Sequence, residues 1–394
     1  MDPIQNPYAP GAGTRPPALT GRDRELSAFR ILIGRLKEGR PVKSVLITGL
    51  RGVGKTVLLN TFRDIAQEGG LQTGDAEITH ETAFKSTMAR LARRALLAMS
   101  PIEKVKDRAL LAVQVLKAFT FKLPEGFQVG VDVDALRGRA DSGDLSHDLP
   151  DLFVALGEAA AERKTGVVFL LDEIQFLQKR DLEALIAAMH RATQRGLPLT
   201  VVGAGLPQLP RLAGQAKSYA ERLFDFPDIG RLDAESAIAA LEEPARRLGV
   251  GFQPQAAAAI LEGTDGYPYF LQEYGKHVWN IAQGAVITKE DVKNVRPAVQ
   301  AQLDENFFRV RMSRTTPAER RYISAMAALG RGPYKTGDIA GRLGKDSPGT
   351  APLRGKLIAK GLIYSRSYGL TDFTVPRFDD FLRRNHPFAK TGTE

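Results

Sequence analysis

Apolar positions recur along the chain at two spacings, and the order in which those spacings alternate predicts its architecture. Over 22–37, Leu26, Phe29, Leu32, Ile33 and Leu36 return every third or fourth residue, which puts them on one face of a helix. The run Ser44-Val45-Leu46-Ile47-Thr48 is continuous and short, as a buried strand is, and leads through a glycine-rich turn into a helix from about Lys55. Further strands are predicted at 73–79, 167–171 and 199–202, with two helical stretches over 81–120 and helices at 149–164 and 180–195. Strands alternating with helices predict an α/β core, a parallel sheet with helices on both faces. Between these elements, 119–134 alternates around Glu125-Gly126 as a hairpin would, and the polar stretch 137–148 reads as a loop.

After Phe226 the spacing becomes helical over 234–284, as expected of a small lid. A third unit begins near Pro317. Tyr322, Ile323, Met326 and Leu329 make one amphipathic helix, and 335–343 makes a short second one with Thr336 as its cap. A third helix, over 348–360, turns Leu353, Leu357 and Ile358 inward and Arg354, Lys356 and Lys360 outward. Segments 362–366 and 370–375 then pair as a hairpin around Ser367-Tyr368-Gly369. Three helices and a hairpin predict a winged helix. Residues 1–20, rich in proline and glycine, read as an extended arm without regular structure of its own. The expected division is therefore an arm (1–20), a core (21–228, with an insertion at about 84–148), a lid (229–310) and a winged-helix unit (311–394).

Composition adds little to the core and much to the C-terminal unit. The 394 residues are too many for one hydrophobic core, and 43% hydrophobic with 25% charged residues is ordinary for a soluble globular chain. There is no cysteine, which excludes disulfides, thiolate metal sites and cysteine nucleophiles and fits a reducing cytoplasm. The polar N-terminal stretch lacks the apolar core of a signal peptide, and the most apolar run is far too short to span a bilayer, so no membrane association is expected. Net charge is +10, and residues 311–394 hold 16 Lys/Arg against 7 Asp/Glu, nearly the whole excess. A basic terminal unit suits a polyanion such as DNA; a merely soluble basic surface is the alternative on charge alone.

One motif carries specific chemistry. Gly49-Leu50-Arg51-Gly52-Val53-Gly54-Lys55-Thr56 matches the phosphate-binding loop G-x-x-x-x-G-K-[ST], between a predicted strand and a predicted helix. Gly49, Gly52 and Gly54 let the backbone turn its N–H groups inward on phosphate oxygens, and Val53 and Val57 flank that cradle. The helix N-terminus adds positive partial charge. Lys55 is expected to reach the β- and γ-phosphates of ATP, with the Thr56 hydroxyl on Mg²⁺. About 120 residues on, an apolar strand ends in Asp172-Glu173. Asp172 is then the second metal-side residue and Glu173 the general base that polarises the attacking water, which is why hydrolysis is expected and not binding alone.

These segments, with Leu19-Thr20-Gly21-Arg22-Asp23-Arg24-Glu25-Leu26, Leu171-Asp172-Glu173-Ile174-Gln175 and Gly266-Tyr267-Pro268, resemble the AAA+-type ATPases. Within that group the chain is similar to archaeal-type ATPases and to STAND proteins related to origin-recognition initiators. The resemblance runs over about 15–385, since those families also continue into a winged helix. It implies an adenine cupped by Pro17, Leu19, Thr20 and Arg22, a Pro268 packed near the nucleotide, and an Arg222 aimed at a neighbouring subunit's γ-phosphate in a homo-oligomer. An arginine there offsets transition-state charge; a structural ion pair is the alternative role for Arg222. The chain also departs from the family. The lid helix has Tyr269-Phe270-Leu271 where initiators carry an arginine, so phosphate sensing by a lid arginine is expected to be missing. The strand over 199–205 ends in Gly203-Ala204-Gly205, with only Gln208 nearby to sense phosphate. His277 and Trp279 are expected to pack in the lid, and the five scattered histidines suggest no metal site.

Two functions remain open on this reading. One is a slow, regulatory ATPase that couples nucleotide state to DNA binding, with Arg354, Lys356, Lys360 and Arg366 as the DNA contacts. The other is a STAND-like signalling switch whose winged helix holds the nucleotide or a protein partner. An enzyme acting on a small substrate would need a second catalytic constellation, and the sequence shows none.

Overall fold

In a computed structural model, which describes residues 1–11, 13–99, 107–120 and 134–389, the apolar runs assemble as one parallel sheet. Its strands are β1 (Ser44–Thr48), β2 (Gln72–Glu77), β3 (Val167–Asp172), β4 (Leu199–Gly205) and β5 (Phe224–Asp225), in the order β2-β3-β4-β1-β5. Alternate residues of each strand point to opposite faces. Ile47, Val168, Leu170 and Val202 pack on one face against α1 (Asp23–Lys37) and α2 (Lys55–Glu68), where Phe29 and Phe62 stack at 4.0 Å. Leu46, Val167, Phe169 and Val201 pack on the other face. There they meet α3 (Phe84–Met99), α4 (Asp107–Thr120), α5 (Leu145–Glu162), α6 (Lys179–Gln194) and α7 (Leu209–Ala216), followed by the short α8 (Ala220–Leu223). A strand buried on both faces reads as a continuous apolar run, which is why the sequence marked β1, β3 and β4.

The strand order has a consequence for chemistry. β4 lies between β1, which feeds the phosphate loop, and β3, which ends in the acids. Both functional ends sit at the carboxyl edge of the sheet, where open α/β sheets bind ligands.

Two core expectations shift. The hairpin over 119–134 falls mostly on 121–133, outside the described residues, and Phe119 and Thr120 instead close α4. The loop 137–148 ends early, because Asp144 caps α5 through the Ser146 N–H. Asp148 is polar yet buried, its carboxylate accepting from the Ser142 and Gly143 N–H groups and pairing with Lys85.

The lid comprises α9 (Ala234–Arg246), α10 (Pro254–Thr264), α11 (Pro268–Ile281) and α12 (Lys289–Gln302). Two short parallel strands, β6 (Gly251–Phe252) and β7 (Val286–Ile287), tie it together. Helix α12 does not stop at the lid. It widens into a π-helical segment, Leu303–Arg309, and runs on into α13 (Val310–Met312). Beyond it come α14 (Pro317–Ala327), β8 (Tyr334–Lys335), α15 (Thr336–Arg342), α16 (Ser347–Ala359), β9 (Ile363–Ser367), β10 (Leu370–Phe373) and α17 (Phe378–Asn385). β10 pairs antiparallel with both β8 and β9. The cap of α15 is Lys335, which makes no side-chain capping bond; Thr336 is the first helical residue, its N–H held by the Gly369 carbonyl. Among the described residues no helix is long and apolar enough to cross a membrane.

The C-terminal unit is packed down on the rest. One apolar cluster runs from Phe62 beneath the sheet, through Phe270 of the lid, to Phe308, Phe378 and Phe381. Arg377 donates to the Gly263 carbonyl of the lid, and the His80 ring meets the Ala359 carbonyl at 2.8 Å.

Candidate nucleotide site

The glycine-rich segment is a tight loop because its dihedrals demand it. Gly52 and Gly54 have φ of 86° and 94°, a region that L side chains rarely enter. A Cβ at Gly49 would lie 2.4 Å from the Ile229 carbonyl oxygen, so that glycine permits a close backbone approach outside the cleft. The loop opens into a cavity of about 590 Å³, within the range that holds small ligands.

Of the residues expected to bind the nucleotide, Leu19, Arg22, Gly52, Val53, Gly54, Lys55, Thr56, Val57, Asp172, Glu173 and Pro268 all line this cavity. Lys55 is buried, and its ammonium donates to the Gly49 and Leu50 carbonyls at 2.9 Å each. Burial lowers its pKa, opposed by the nearby Glu173 and Asp172 carboxylates. The Thr56 hydroxyl donates to Asp172 Oδ2 at 2.5 Å, so the phosphate-loop helix and the acid strand meet here despite the intervening β4. Burial raises the Asp172 pKa, and the bond from Thr56 acts against that rise.

Thr56 and Asp172 offer hard oxygen donors that suit Mg²⁺. Among the described residues no three His, Asp or Glu side chains gather into a metal site. A cation here would draw its remaining ligands from phosphate and water, as Mg²⁺ commonly does.

Glu173 adopts φ of 52°, left-handed for a non-glycine residue. Two neighbours hold its carboxylate. The Gln175 amide donates to Oε2, and the Arg51 guanidinium lies 4.0 Å away. The other end of Gln175 is fixed in turn, its Oε1 accepting from the Leu206 N–H at 3.1 Å. A Cβ at Gly205 would fall 2.5 Å from that Oε1. The Gly-Ala-Gly end of β4 thus makes room for a side chain reaching over from the acid strand. Gln208 is buried but is not part of the cavity wall.

Two expectations, those for Arg22 and Lys360, need correction. Arg22 lines the cleft, but its guanidinium is held by the carbonyls of Gly230 (2.6 Å), Val53 (3.2 Å) and Gly21 (3.2 Å), tying the loop to the start of the lid instead of facing a base. Arg222 is exposed, forms no ion pair among the described residues and is not part of this cavity. Lys360 is not free for DNA. Its ammonium meets the buried Glu319 carboxylate at 2.6 Å and the Arg314 carbonyl at 2.8 Å. Arg354 is half-buried, whereas Lys356 and Arg366 are exposed, Arg366 lying 3.7 Å from Asp372. Trp279 packs in the lid as expected, and His277 lies 3.9 Å from Glu273 on the same helix.

The residues missed by sequence reasoning come from the far side of the cleft. Asn306, Phe307, Val310, Arg311 and Arg314, on the π-helical segment and just after it, face the phosphate loop. Arg311 lies over the Phe307 ring at 4.1 Å and donates to the Phe307 carbonyl, but its Nε has no partner, and neither has Nε of Arg51. Burial first, and the Arg51 charge next, lower the Arg311 pKa to about 10. Two guanidiniums that repel each other in a buried cleft leave a place for an anion. Arginine does therefore enter this cleft, though from beyond the lid helix where it was sought. The loop also touches both neighbouring units. The Tyr267 hydroxyl donates to the Arg51 carbonyl, and the Arg51 N–H donates to the Thr374 carbonyl at 3.1 Å.

Known proteins agree with this geometry. A family model described as an AAA ATPase domain matches residues 18–202, and one for a domain of unknown function (DUF8462) matches residues 305–382. No curated protein matches. The structure of the Orc2 protein of Aeropyrum pernix (ADPNP-ADP complexes) is similar at TM-score 0.55 and 17% identity, over 95% of this chain and 96% of that one. The Walker-type ATPase of Pyrococcus abyssi is similar at TM-score 0.53 and 16% identity, over 94% and 97%. At such identities the likeness speaks for the fold. The chain thus carries an AAA ATPase domain in residues 18–202, on the parallel five-stranded α/β fold of the AAA+ ATPases.

Proposed function

We propose that the chain is an ATP-hydrolysing switch whose C-terminal unit, as a winged helix, responds to the state of the nucleotide. The observation that carries this reading is the Arg51 N–H bonded to the Thr374 carbonyl, which joins the phosphate loop directly to the C-terminal unit. ATP would lie in the cavity with its phosphates on the loop and its base toward Leu19 and Pro268. Lys55 would turn from the Gly49 and Leu50 carbonyls to the β- and γ-phosphates. Thr56 and Asp172 would hold Mg²⁺, which would neutralise developing phosphate charge. Glu173 would orient and deprotonate the attacking water. Arg311 and Arg314 would meet the phosphates from the other side, so that losing the γ-phosphate loosens the contact between core and C-terminal unit. The Aeropyrum pernix relative, seen in complexes with ADPNP and ADP, supports nucleotide as the ligand.

Calorimetry with MgATP and MgADP tests the binding, and hydrogen exchange over 311–389 tests the coupling. Binding that needs magnesium and is lost in Lys55→Ala, with different exchange in the two nucleotide states, is expected. Equal ATP affinity in Lys55→Ala and the wild type would end this reading.

DNA as the output partner is favoured by the excess of nine positive charges over 311–394 and by the exposed Lys356 and Arg366. A shift assay at rising salt should show binding that falls with ionic strength and is weakened in Lys356→Ala/Arg366→Ala. Absence of any salt-dependent shift with the wild-type chain would point to a protein partner instead. In an oligomer the exposed Arg222 would act on a neighbour's nucleotide, and turnover per subunit rising with protein concentration, then lost in Arg222→Ala, is the expected sign.

A further inference from the structure

The N-terminal arm, expected to have no regular structure of its own, is held at several points along its described residues. The Asp2 carbonyl accepts from Trp279 Nε1 at 2.9 Å. The Asn6 amide donates to the Lys276 carbonyl at 2.9 Å and to Asn280 Oδ1 at 2.7 Å. Tyr8 is buried, with its ring against α11 at Gly275, where a Cβ would lie 2.5 Å from the ring, and its hydroxyl on the Leu241 carbonyl of α9. The chain then leaves the lid. Pro10, Gly11, Gly13 and Thr14 line the nucleotide cavity. At Gly13, whose φ is 72°, an added Cβ would lie 3.0 Å from Cγ2 of Thr56, so the arm crosses in contact with the phosphate-loop helix. After the crossing it returns to the lid, where the Pro17 carbonyl accepts from Arg247 at 3.0 Å and the Thr20 hydroxyl donates to the Ser236 carbonyl at 2.8 Å.

A segment fixed to one unit at both ends and lying on the other in its middle is a strap across the cleft between them. We propose that this strap is a working wall of the nucleotide site, and that Tyr8 is the positioning residue that holds it there. The proposal rests on the adenine-nucleotide reading of the cavity. Its middle is built for close approach, since Gly13 lies against the Thr56 side chain and takes a φ that a larger residue resists. Its fastening is built for rigidity, because an aromatic ring filling the space over a glycine loses little rotational freedom when it docks. Nucleotide exchange then requires Tyr8 to leave its seat, and the strap sets how long the nucleotide stays.

The test is the dissociation rate of mant-ADP with Mg²⁺, followed by stopped flow on the full chain. Tyr8→Ala should release the nucleotide at least tenfold faster. Tyr8→Phe, which keeps the ring and loses only the bond to Leu241, should fall between the two. The opposite perturbation avoids any folding defect. The chain has no native cysteine, so Asn6→Cys/Asn280→Cys can be joined cleanly by a short bis-maleimide, fastening the strap to the lid. That cross-link should slow release at least tenfold relative to the same variant before linking. Release at an unchanged rate after cross-linking would overturn the proposal. A wild-type chain that binds no mant-ADP would instead refute the nucleotide reading beneath it.

Discussion

The nucleotide cleft has two walls made in opposite ways. One is the phosphate loop with the ends of β1 and β3, where regular strands deliver backbone and short side chains to fixed points: Lys55 on two carbonyls, and Thr56 on Asp172. The other is assembled from the arm, the first turn of α11 and the π-helical linker, pieces drawn from residues 9–20, 268–272 and 306–314. The first wall is positioned by a sheet buried on both faces; the second is positioned by side chains packing on one another. On the proposed reading the first wall would hold the phosphates of a nucleoside triphosphate or diphosphate alike. Telling the two apart falls to the second, where the charge of the last phosphate would meet Arg311.

The comparison breaks most readily at Glu173. If the sheet-borne wall carries the chemistry, Glu173→Gln should lower kcat by about 10²–10⁴-fold, the usual worth of a positioned general base. Affinity for MgATP, measured by calorimetry, should change by less than about threefold, because the carboxylate is proposed to act on the attacking water and not to ligate the phosphates. A variant that keeps near-normal turnover would move the catalytic base elsewhere.

Arg311 sharpens the comparison at a smaller scale. A hydrogen bond from a charged donor contributes about 1.5–3 kcal/mol. Arg311→Ala should therefore weaken ATP binding by roughly 10- to 150-fold. ADP affinity should stay within about threefold, since the missing contact is to the terminal phosphate. Competition of both nucleotides against a fluorescent analogue gives the two numbers together. Equal losses for ATP and ADP would mean that the far wall supports the cleft without reading its contents.

The same contrast governs what the sequence revealed. Strands β1, β3 and β4 were legible because burial on both faces leaves a continuous apolar run; the polar, partly exposed edge strand β2 was expected without that signal, and the two-residue β5 was not expected. The phosphate loop was legible because its chemistry depends on local spacing. Arg311 was not, for a specific reason. The π-helical segment Leu303–Arg309 inserts extra residues per turn and breaks the 3.6 periodicity. Adjacent Phe307 and Phe308 are both buried, Phe307 stacked on Tyr269 in the cleft and Phe308 on Phe378 and Phe381 of the C-terminal unit. A helical-wheel argument places such neighbours about 100° apart and gives no sign that each closes a different gap. Lys360 misled in another way. It does point away from its own helix, but onto Glu319, whose carboxylate also caps α14 in reciprocal bonds with Thr316. Outward in a periodic pattern does not mean free of a partner when another element lies in that direction.

The smallest expected effect falls on the joint between the acid end of β3 and the neighbouring end of β4. Gln175 connects the Glu173 carboxylate to the Leu206 N–H at the end of β4, and Gly205 leaves the room it needs. Gln175→Ala leaves the Glu173 carboxylate in place but less firmly oriented, so kcat should fall by only about 2- to 12-fold, about 0.5–1.5 kcal/mol of barrier, with KM little changed. Gln175→Glu separates positioning from packing. It keeps the size of glutamine but sets a second carboxylate against Glu173, and like charges in contact should lower kcat below the alanine variant. A residue that only filled space would accept glutamate better than alanine. Gly205→Ala supplies an independent route to the same loss: its new methyl would displace the amide oxygen and draw the other end of Gln175 away from Glu173. If Gly205→Ala and Gln175→Ala reduce kcat alike, and together reduce it no further, the two ends of β3 and β4 act on the water through one bridge; additive losses would show that β4 acts on the site by a separate path.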